Sequence, residues 1–293
     1  FCEMNGCVTV PGFDPATVSQ TVNRWIVAET AKAVAEVTAA IEAYRFNDAA
    51  GAAYHFVYDI FCDWYIEITK PVFQTGAKDV KAETRATTAW ARDQILKLLH
   101  PFMPFITEEL WAKTSERESL LITAPWPILA QMPGADAAGD EMRWVIGLVE
   151  GVRSVRSAMN VPASAKVPLL LVGPTSATAE RLKRNEAVIK ALARLESVGV
   201  THTPFVKGVG QFPLEEATVS LSLTGVVDLD KELQRLRKDL KKAQDEVDRL
   251  MAKLDNEQFA SKAPPEVLAE ERQKLADKVF LKNQLSSLIG PLG

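Results

Sequence analysis

Residues 229–254 read LDKELQRLRKDLKKAQDEVDRLMAKL, and this stretch decides the fold of the C-terminal part. Leu229, Leu233, Leu236, Leu240, Ala243, Val247, Leu250 and Leu254 are separated by 4, 3, 4, 3, 4, 3 and 4 residues. A mean step of about 3.5 returns each side chain to the same helix flank, which makes a coiled-coil seam. At about 1.5 Å per residue the spacing predicts one helix roughly 40 Å long. Such a helix cannot bury its seam alone. Lys262-Ala263-Pro264-Pro265 forces a turn, since proline cannot continue the helix. A looser stripe then returns with Leu268, Leu275, Val279, Leu285, Leu288 and Leu292. The prediction is an antiparallel coiled-coil hairpin within one chain. The competing reading, a parallel dimer zipper, requires the chain to fork at the two prolines.

Outward from the hairpin, residues 143–227 read as a small α+β unit. A helix over residues 141–159 carries Trp144, Ile146, Leu148, Val149 and Val152. KVPLLLVG at 166–173 is a short buried strand, residues 177–195 a helix, and 198–203 and 217–227 alternate as strands do. Residues 132–140 (MPGADAAGD) have linker composition.

Residues 1–142 read as an antiparallel helical bundle. Asp14-Pro15 is a helix start, with Asp at the cap and Pro at the first helical position. Val18, Val22, Trp25, Ile26, Val37, Ile41 and Tyr44 follow at helical steps. Asn47 is placed to cap a second helix over residues 48–69, with Tyr54, Val57, Tyr58, Phe61, Trp64, Tyr65 and Ile68 as its apolar stripe and Pro71 as its stop. Taken singly, these aromatic residues read as core. A third helix covers residues 80–99, a short one carries Ile106, Leu110 and Trp111, and residues 120–126 read as extended. The fold class is therefore mainly α: a bundle at 1–142, an α+β linking domain at 143–227 and a coiled-coil arm at 228–293.

Composition narrows the function classes. Of 293 residues, 47% are hydrophobic and 25% charged, an ordinary globular balance. No apolar run approaches the roughly 18–20 residues that cross a bilayer. Phe1 opens the chain without a basic and apolar leader, so the expectation is a cytoplasmic piece of a longer protein. Cys2, Cys7 and Cys62 are too few for a disulfide framework, which fits a reducing compartment. The formal net charge of −4 hides an asymmetry. Residues 1–142 carry 11 basic and 19 acidic side chains, residues 143–227 carry 10 and 6, and residues 228–293 carry 13 of each. The acidity sits in the bundle, so whole-chain charge does not exclude a polyanion partner elsewhere.

No catalytic constellation emerges. His55, His100 and His202 lack metal-ligand spacing, and no metal site is expected. Gly208-Val209-Gly210 lacks the remainder of a dinucleotide loop. Glu108-Glu109 opens a helix, where acidic residues favour the dipole. What remains is basic. Arg235, Arg237, Lys238, Lys241 and Lys242 lie within two turns of the first rod, and Arg249 and Lys253 extend the series. Such a stripe can follow the phosphates of a nucleic-acid backbone. The alternative is a solvated coiled-coil face paired with Asp239, Asp245 and Asp248. Arg153 and Arg156, and Arg181, Lys183 and Arg184, add charge in the middle part.

At this point a family becomes visible. Arg45-Phe46-Asn47-Asp48-Ala49-Ala50, followed by Phe61-Cys62-Asp63-Trp64-Tyr65-Ile66-Glu67, resembles the anticodon-binding bundle of class I aminoacyl-tRNA synthetases. Asn23-Arg24-Trp25-Ile26 is similar to the Asp-Arg-Trp-Ile that opens that domain, with Asn for Asp. LHPFMPFITEELW at 99–111 resembles a further motif of these enzymes. Arg153-Ser154-Val155-Arg156 with Asn160-Val161-Pro162 resembles their linking helix and turn. Phe259-Ala260-Ser261-Lys262-Ala263-Pro264 resembles the hairpin tip of the valyl-tRNA synthetase family, whose C-terminal portion the whole chain resembles.

The resemblance implies that Arg45, Phe46 and Asn47, with Arg24 nearby, face the anticodon. There they would work by guanidinium and ring stacking and by amide hydrogen bonds. It implies that Arg235, Lys238, Lys241, Lys242, Arg249 and Lys253 hold backbone at the outer corner of the tRNA. The implied partner is valine tRNA, with no DNA and no membrane, and the implied state is a monomer. The family's ATP-binding His-x-Gly-His and Lys-Met-Ser-Lys-Ser motifs do not occur here. The chain is accordingly expected to need no cofactor and to bind tRNA without charging it, while ATP and Mg serve the parent enzyme. A sister isoleucyl or leucyl enzyme, or a coiled-coil scaffold protein that self-associates, are the alternatives.

Overall fold

The first apolar stripe becomes helix α1, Thr21–Glu42, which buries Trp25, Ile26, Val34 and Val37. The computed structural model describes residues 1–130, 134–203, 208–256 and 264–292. Asp14 does cap, but it caps a short 3-10 turn, Pro15–Thr17, through Oδ1 accepting from the Ala16 amide at 2.9 Å. The long helix begins only at Thr21. The amides just before it are held from a distance: the Glu83 carboxylate accepts from the Ser19 amide (3.1 Å) and the Gln20 amide (2.9 Å). Glu83 also accepts from Asn23 Nδ2 at 2.8 Å, and the fully buried Asn23 accepts from the Tyr65 hydroxyl at 3.1 Å. Burial pushes the Glu83 carboxyl up, but the hydrogen bonds from Ser19, Asn23 and Gln20 outweigh it and hold it below its ordinary value.

The second rod differs from its expectation. Helix α2, Phe46–His55, runs into a π-helical stretch, Phe56–Ile66, and on into α3, Glu67–Thr75, so Pro71 lies inside a helix instead of ending it. The inward residues Ala49, Ala53, Phe56, Phe61, Tyr65 and Ile68 are spaced 4, 3, 5, 4 and 3, and the step of five marks the wider π turn. That wider turn is what leaves Tyr54 and Tyr58 outside the core, where the α-helical stripe had placed them.

Helices α4, Lys78–Leu99, and α5, Pro104–Thr114, complete the bundle, with Pro104 at the first helical position of α5. Glu108 is structural, accepting from the amides of Leu121 (2.7 Å) and Ile122 (3.1 Å), and Glu109 pairs with Lys113 at 2.7 Å. Leu121–Thr123 is a 3-10 turn where extended chain was expected, and Trp111, Leu96 and Leu121 form a small apolar cluster beneath it. Beside this cluster Asp93, only 5% exposed, receives a bidentate pair from Arg117 (2.8 and 2.9 Å) and a further bond from Arg92 (2.9 Å). These elements form the unit Phe1–Ile146.

Helix α6, Ala135–Ala158, starts six residues earlier than its apolar stripe predicts, so most of the expected linker is helical. Residues 131–133 lie outside the described residues. The unit Gly147–Gly293 holds a four-stranded sheet in the order β2-β1-β4-β3. Its strands are β1, Val167–Val172, β2, Leu195–Thr201, β3, Val209–Leu214, and β4, Ala217–Ser222. β1 and β2 run parallel, and the other pairs are antiparallel. The crossover between the parallel pair is not one helix but two, α7, Ser176–Arg184, and α8, Glu186–Ala193, divided at Asn185. Strand β3 is absent from the sequence reading, because Gly210 and Pro213 disguise its alternation. Gly151 of α6 lets the helix settle on this strand: a Cβ there would stand 2.1 Å from Phe212.

The arm is α9, Leu229–Leu254, and α10, Pro265–Ile289. Lys253 pairs with Glu271 at 3.0 Å and Lys278 with Glu246 at 2.5 Å. Seven residues back along one rod is seven forward along the other, which is the register of antiparallel helices. Leu236, Ala243, Val247 and Leu250 bury against a seam that includes Leu285 and Leu288. Residues 257–263, which include the expected tip and the start of the Lys-Ala-Pro-Pro turn, lie outside the described residues. The architecture is mainly α, with a helical bundle, a small sheet unit and an antiparallel hairpin.

Candidate nucleic-acid interface

The candidate residues fall in two regions, one in each unit. In the first, α1 ends at Glu42 and the chain turns through Tyr44, which takes a left-handed φ of 57°, before α2 starts at Phe46. The turn pushes side chains outward. Tyr44 is 83% exposed and Phe46 54%, and their rings meet edge to face with centroids 6.3 Å apart. Arg45 is exposed and pairs loosely with Asp48 at 3.3 Å. Asn47 is exposed within the first turn of α2 and does not cap it, since Arg45 occupies the cap position.

Phe46 also forms one wall of an apolar cavity of about 510 Å³, shared with Thr38, Ile41, Glu42, Pro101, Phe102 and Trp126. The Trp126 indole donates to Thr38 Oγ1 at 2.8 Å and fixes the far wall. Sequence reasoning missed this cavity, because Pro101, Phe102 and Trp126 reach it from 55 to 80 residues further along the chain. It also missed Tyr54 and Tyr58, which stack on one another at the surface with centroids 4.5 Å apart.

Arg24 does not join this group. It lies at the start of α1, with its Nε donating to the Val18 carbonyl at 3.0 Å. The helix separates it from Arg45 by roughly 30 Å at 1.5 Å per residue. The expectation that the two are neighbours is therefore corrected.

In the second region the basic residues of α9 divide by helical phase. Lys238, Lys242 and Arg249 stand opposite the apolar seam at about 100° per residue and are exposed, with Lys241 on the adjoining flank. Lys242 has Asp239 at 3.9 Å, too far for a strong pair. Lys253 instead faces the partner rod and is committed to Glu271. Arg235 is likewise committed: it bonds Glu232, Asp239 (2.8 Å) and the Ala158 carbonyl. Glu232 in turn accepts from Asn160 Nδ2 at 3.2 Å. This clasp ties the base of the arm to the end of α6 and gives Arg235 a structural task, as the pair with Glu271 does for Lys253. Glu271 sits between two lysines; hydrogen bonds from Lys274 and then Lys253 hold its carboxyl below the ordinary value.

Among the described residues, no group of three His, Cys, Asp or Glu side chains can hold a metal ion. Among them too, no helix is long and apolar enough to cross a membrane.

Two protein families match the chain. Residues 23–171 match the family described as the anticodon-binding domain of tRNA ligase. Just over half of the chain lies in that match, and the chain belongs to this family. Residues 228–292 match the valyl tRNA synthetase tRNA binding arm, which narrows the class to the valyl enzymes. The chain is 47% identical to a valine–tRNA ligase of Rhizobium meliloti over 290 residues, covering 97% of this chain and 30% of that protein. It is 46% identical to that of Caulobacter vibrioides over 297 residues, covering 100% and 33%. For Rhodopseudomonas palustris the figures are 45% over 306 residues, 94% and 32%. The chain thus spans about a third of the length of the curated relatives it matches, in their C-terminal portion.

Proposed function

We propose that this chain is the tRNA-holding portion of a valine–tRNA ligase, acting through two kinds of contact. The turn at Tyr44–Asn47 receives unstacked anticodon bases: Phe46 and Arg45 offer stacking surfaces and Asn47 an amide. Stacking on aromatic and guanidinium planes is how proteins read single-stranded RNA loops. Lys238, Lys241, Lys242 and Arg249 meet backbone phosphates at the outer corner of the tRNA, where they position without specifying. Arg24, Arg235 and Lys253 act from further back, the last two by holding the arm in shape. The observation that carries this reading is the exposed Tyr44–Phe46 ring pair beside an apolar cavity of about 510 Å³.

In this reading residues 1–142 are the anticodon-binding domain, 143–227 a link and 228–293 the arm. The partner is valine tRNA, taken up by a monomer in the cytoplasm. Activation of valine with ATP and Mg belongs to the remainder of the parent enzyme, since the sequence here holds neither family ATP motif. The chain alone is expected to give no valine-dependent ATP–pyrophosphate exchange.

The test is a titration of the chain with valine tRNA and with the same tRNA altered only in the anticodon. Tighter binding of the unaltered tRNA is expected. Equal affinity for both would remove the anticodon from the proposal. Sedimentation at two concentrations addresses the scaffold alternative, which requires self-association through α9.

A further inference from the structure

The linking region holds a cluster of arginines that neither contact described above uses. Arg153 and Arg156 project from the C-terminal half of α6, and Arg194 caps the end of α8 in a left-handed conformation, φ 53°. All three line one cavity of about 320 Å³, whose remaining walls include Ser157, Val161 and Leu192 and no acidic residue. Arg156 is only 8% exposed. Its Nη2 donates to the carbonyls of Pro162 (3.1 Å) and Ala165 (2.9 Å). Arg194 Nη1 donates to the Ala163 carbonyl, and Arg153 Nη2 to that of Leu192 at 3.3 Å.

The bonds of Arg156 and Arg194 orient their guanidinium groups but bring no negative charge. Among the described residues neither Arg156 nor Arg194 has a carboxylate in ion-pair range. A buried cation without a counter-ion is costly, and carbonyl dipoles offset that only in part. The electrostatics register the cost. Burial first, and then the charge on Arg194, draw the Arg156 guanidinium below its ordinary value. A negatively charged phosphate group with several acceptor oxygens would relieve both, and planar guanidinium forks match phosphate geometry.

We propose that Arg153, Arg156 and Arg194 form a phosphate-binding site in the linking region, and that the phosphate it takes is a backbone phosphodiester of the bound RNA. The identity of that source rests on the function proposed above; the phosphate site itself does not. None of its lining residues belongs to the turn at Tyr44–Asn47 or to α9, so it adds a third point of contact for a polyanion.

The first arm of the test uses the full chain and inorganic phosphate, followed by the NMR signals of the arginine Nε–H groups. Saturable shifts of all three arginines are expected. Arg153→Gln with Arg194→Gln should weaken phosphate binding at least tenfold without changing the melting temperature in its absence. Arg156 is left intact because its removal threatens the fold. Should the double glutamine variant melt early, Arg153→Lys with Arg194→Lys keeps the charges and loses the forks, and must still weaken binding. No saturable shift, or shifts that survive these substitutions, would overturn the site.

The second arm uses tRNA. Loss of affinity in the double variant, equal for both anticodons, with a log–log salt slope shallower by about one to two, supports the backbone source. Unchanged tRNA binding alongside lost phosphate binding assigns the same site to a free phosphate. If the unmodified chain fails to bind tRNA, the RNA reading falls while the first arm still decides the phosphate site.

Discussion

The turn at Tyr44–Asn47 and the outer face of α9 are both exposed, but they are made of different material. The turn presents two open rings, one guanidinium and one amide beside an apolar cavity. The outer face of α9 presents Lys238, Lys242 and Arg249 with Lys241 at its flank, and its rings are nowhere in evidence, since residues 229–254 contain no Phe, Tyr or Trp. Rings and amides distinguish one base from another, whereas ammonium groups register only charge along a backbone. The function proposed above therefore assigns reading to the turn and holding to the arm.

The largest expected effect breaks one side of the comparison altogether. Asp93→Ala leaves Arg117 and Arg92 without their buried partner, which should cost the bundle about 3–5 kcal/mol. Stepwise denaturation followed by tryptophan fluorescence should show the first unit melting early. Phe46→Ala tests the reading side with the bundle intact: a lost base–aromatic stack should weaken binding by about 1–3 kcal/mol. That loss should vanish for a tRNA with an altered anticodon. A loss equal for both tRNAs would make Phe46 a scaffold residue.

Lys238→Glu with Lys241→Glu tests the holding side. We expect roughly tenfold weaker binding at 0.1 M salt, the same for either anticodon, with the salt slope reduced by about one to two. An unchanged slope would show that these lysines meet no phosphate. The smallest effect concerns pH. The Glu83 carboxyl is held below its ordinary value, so its stabilisation of the bundle is present above the ordinary carboxylate range and is lost as pH falls through the lowered value. Glu83→Gln should therefore melt earlier than the unmodified chain at pH 7, by less than about 1 kcal/mol because water screens this half-exposed group. The gap should close as pH falls below that lowered value. A gap that stays constant with pH would mean that the Glu83 charge contributes nothing.

The arm was the most legible part of the molecule. Its seam is local, each leucine following the last by three or four residues, and the antiparallel partner follows from the need to bury it. The bundle was legible as helices but not in its details. Asp14 announced a helix start and delivered a 3-10 turn, because Glu83, more than sixty residues away, supplies the acceptors for the amides ahead of α1. Tyr54 and Tyr58 fitted an apolar stripe only for an α-helical turn; the π-helical stretch rotates the stripe by a residue. The candidate site was half legible. Arg45, Phe46 and Asn47 were found by resemblance to a motif, while the cavity behind Phe46 is assembled from distant segments that share no spacing.

What the sequence determined by itself is whatever depends on neighbours along the chain: the heptad seam, the main helices, the stripe of lysines and the family to which they belong. Only the tertiary structure decided which of the ten candidate residues are committed elsewhere. It turned Arg235 into a clasp on Ala158 and Glu232, gave Lys253 to Glu271, and set Arg24 at the far end of α1 from Arg45. The physical reason is that a side chain's charge is written in its identity, whereas its availability depends on which groups the folded backbone brings within a few ångströms of it.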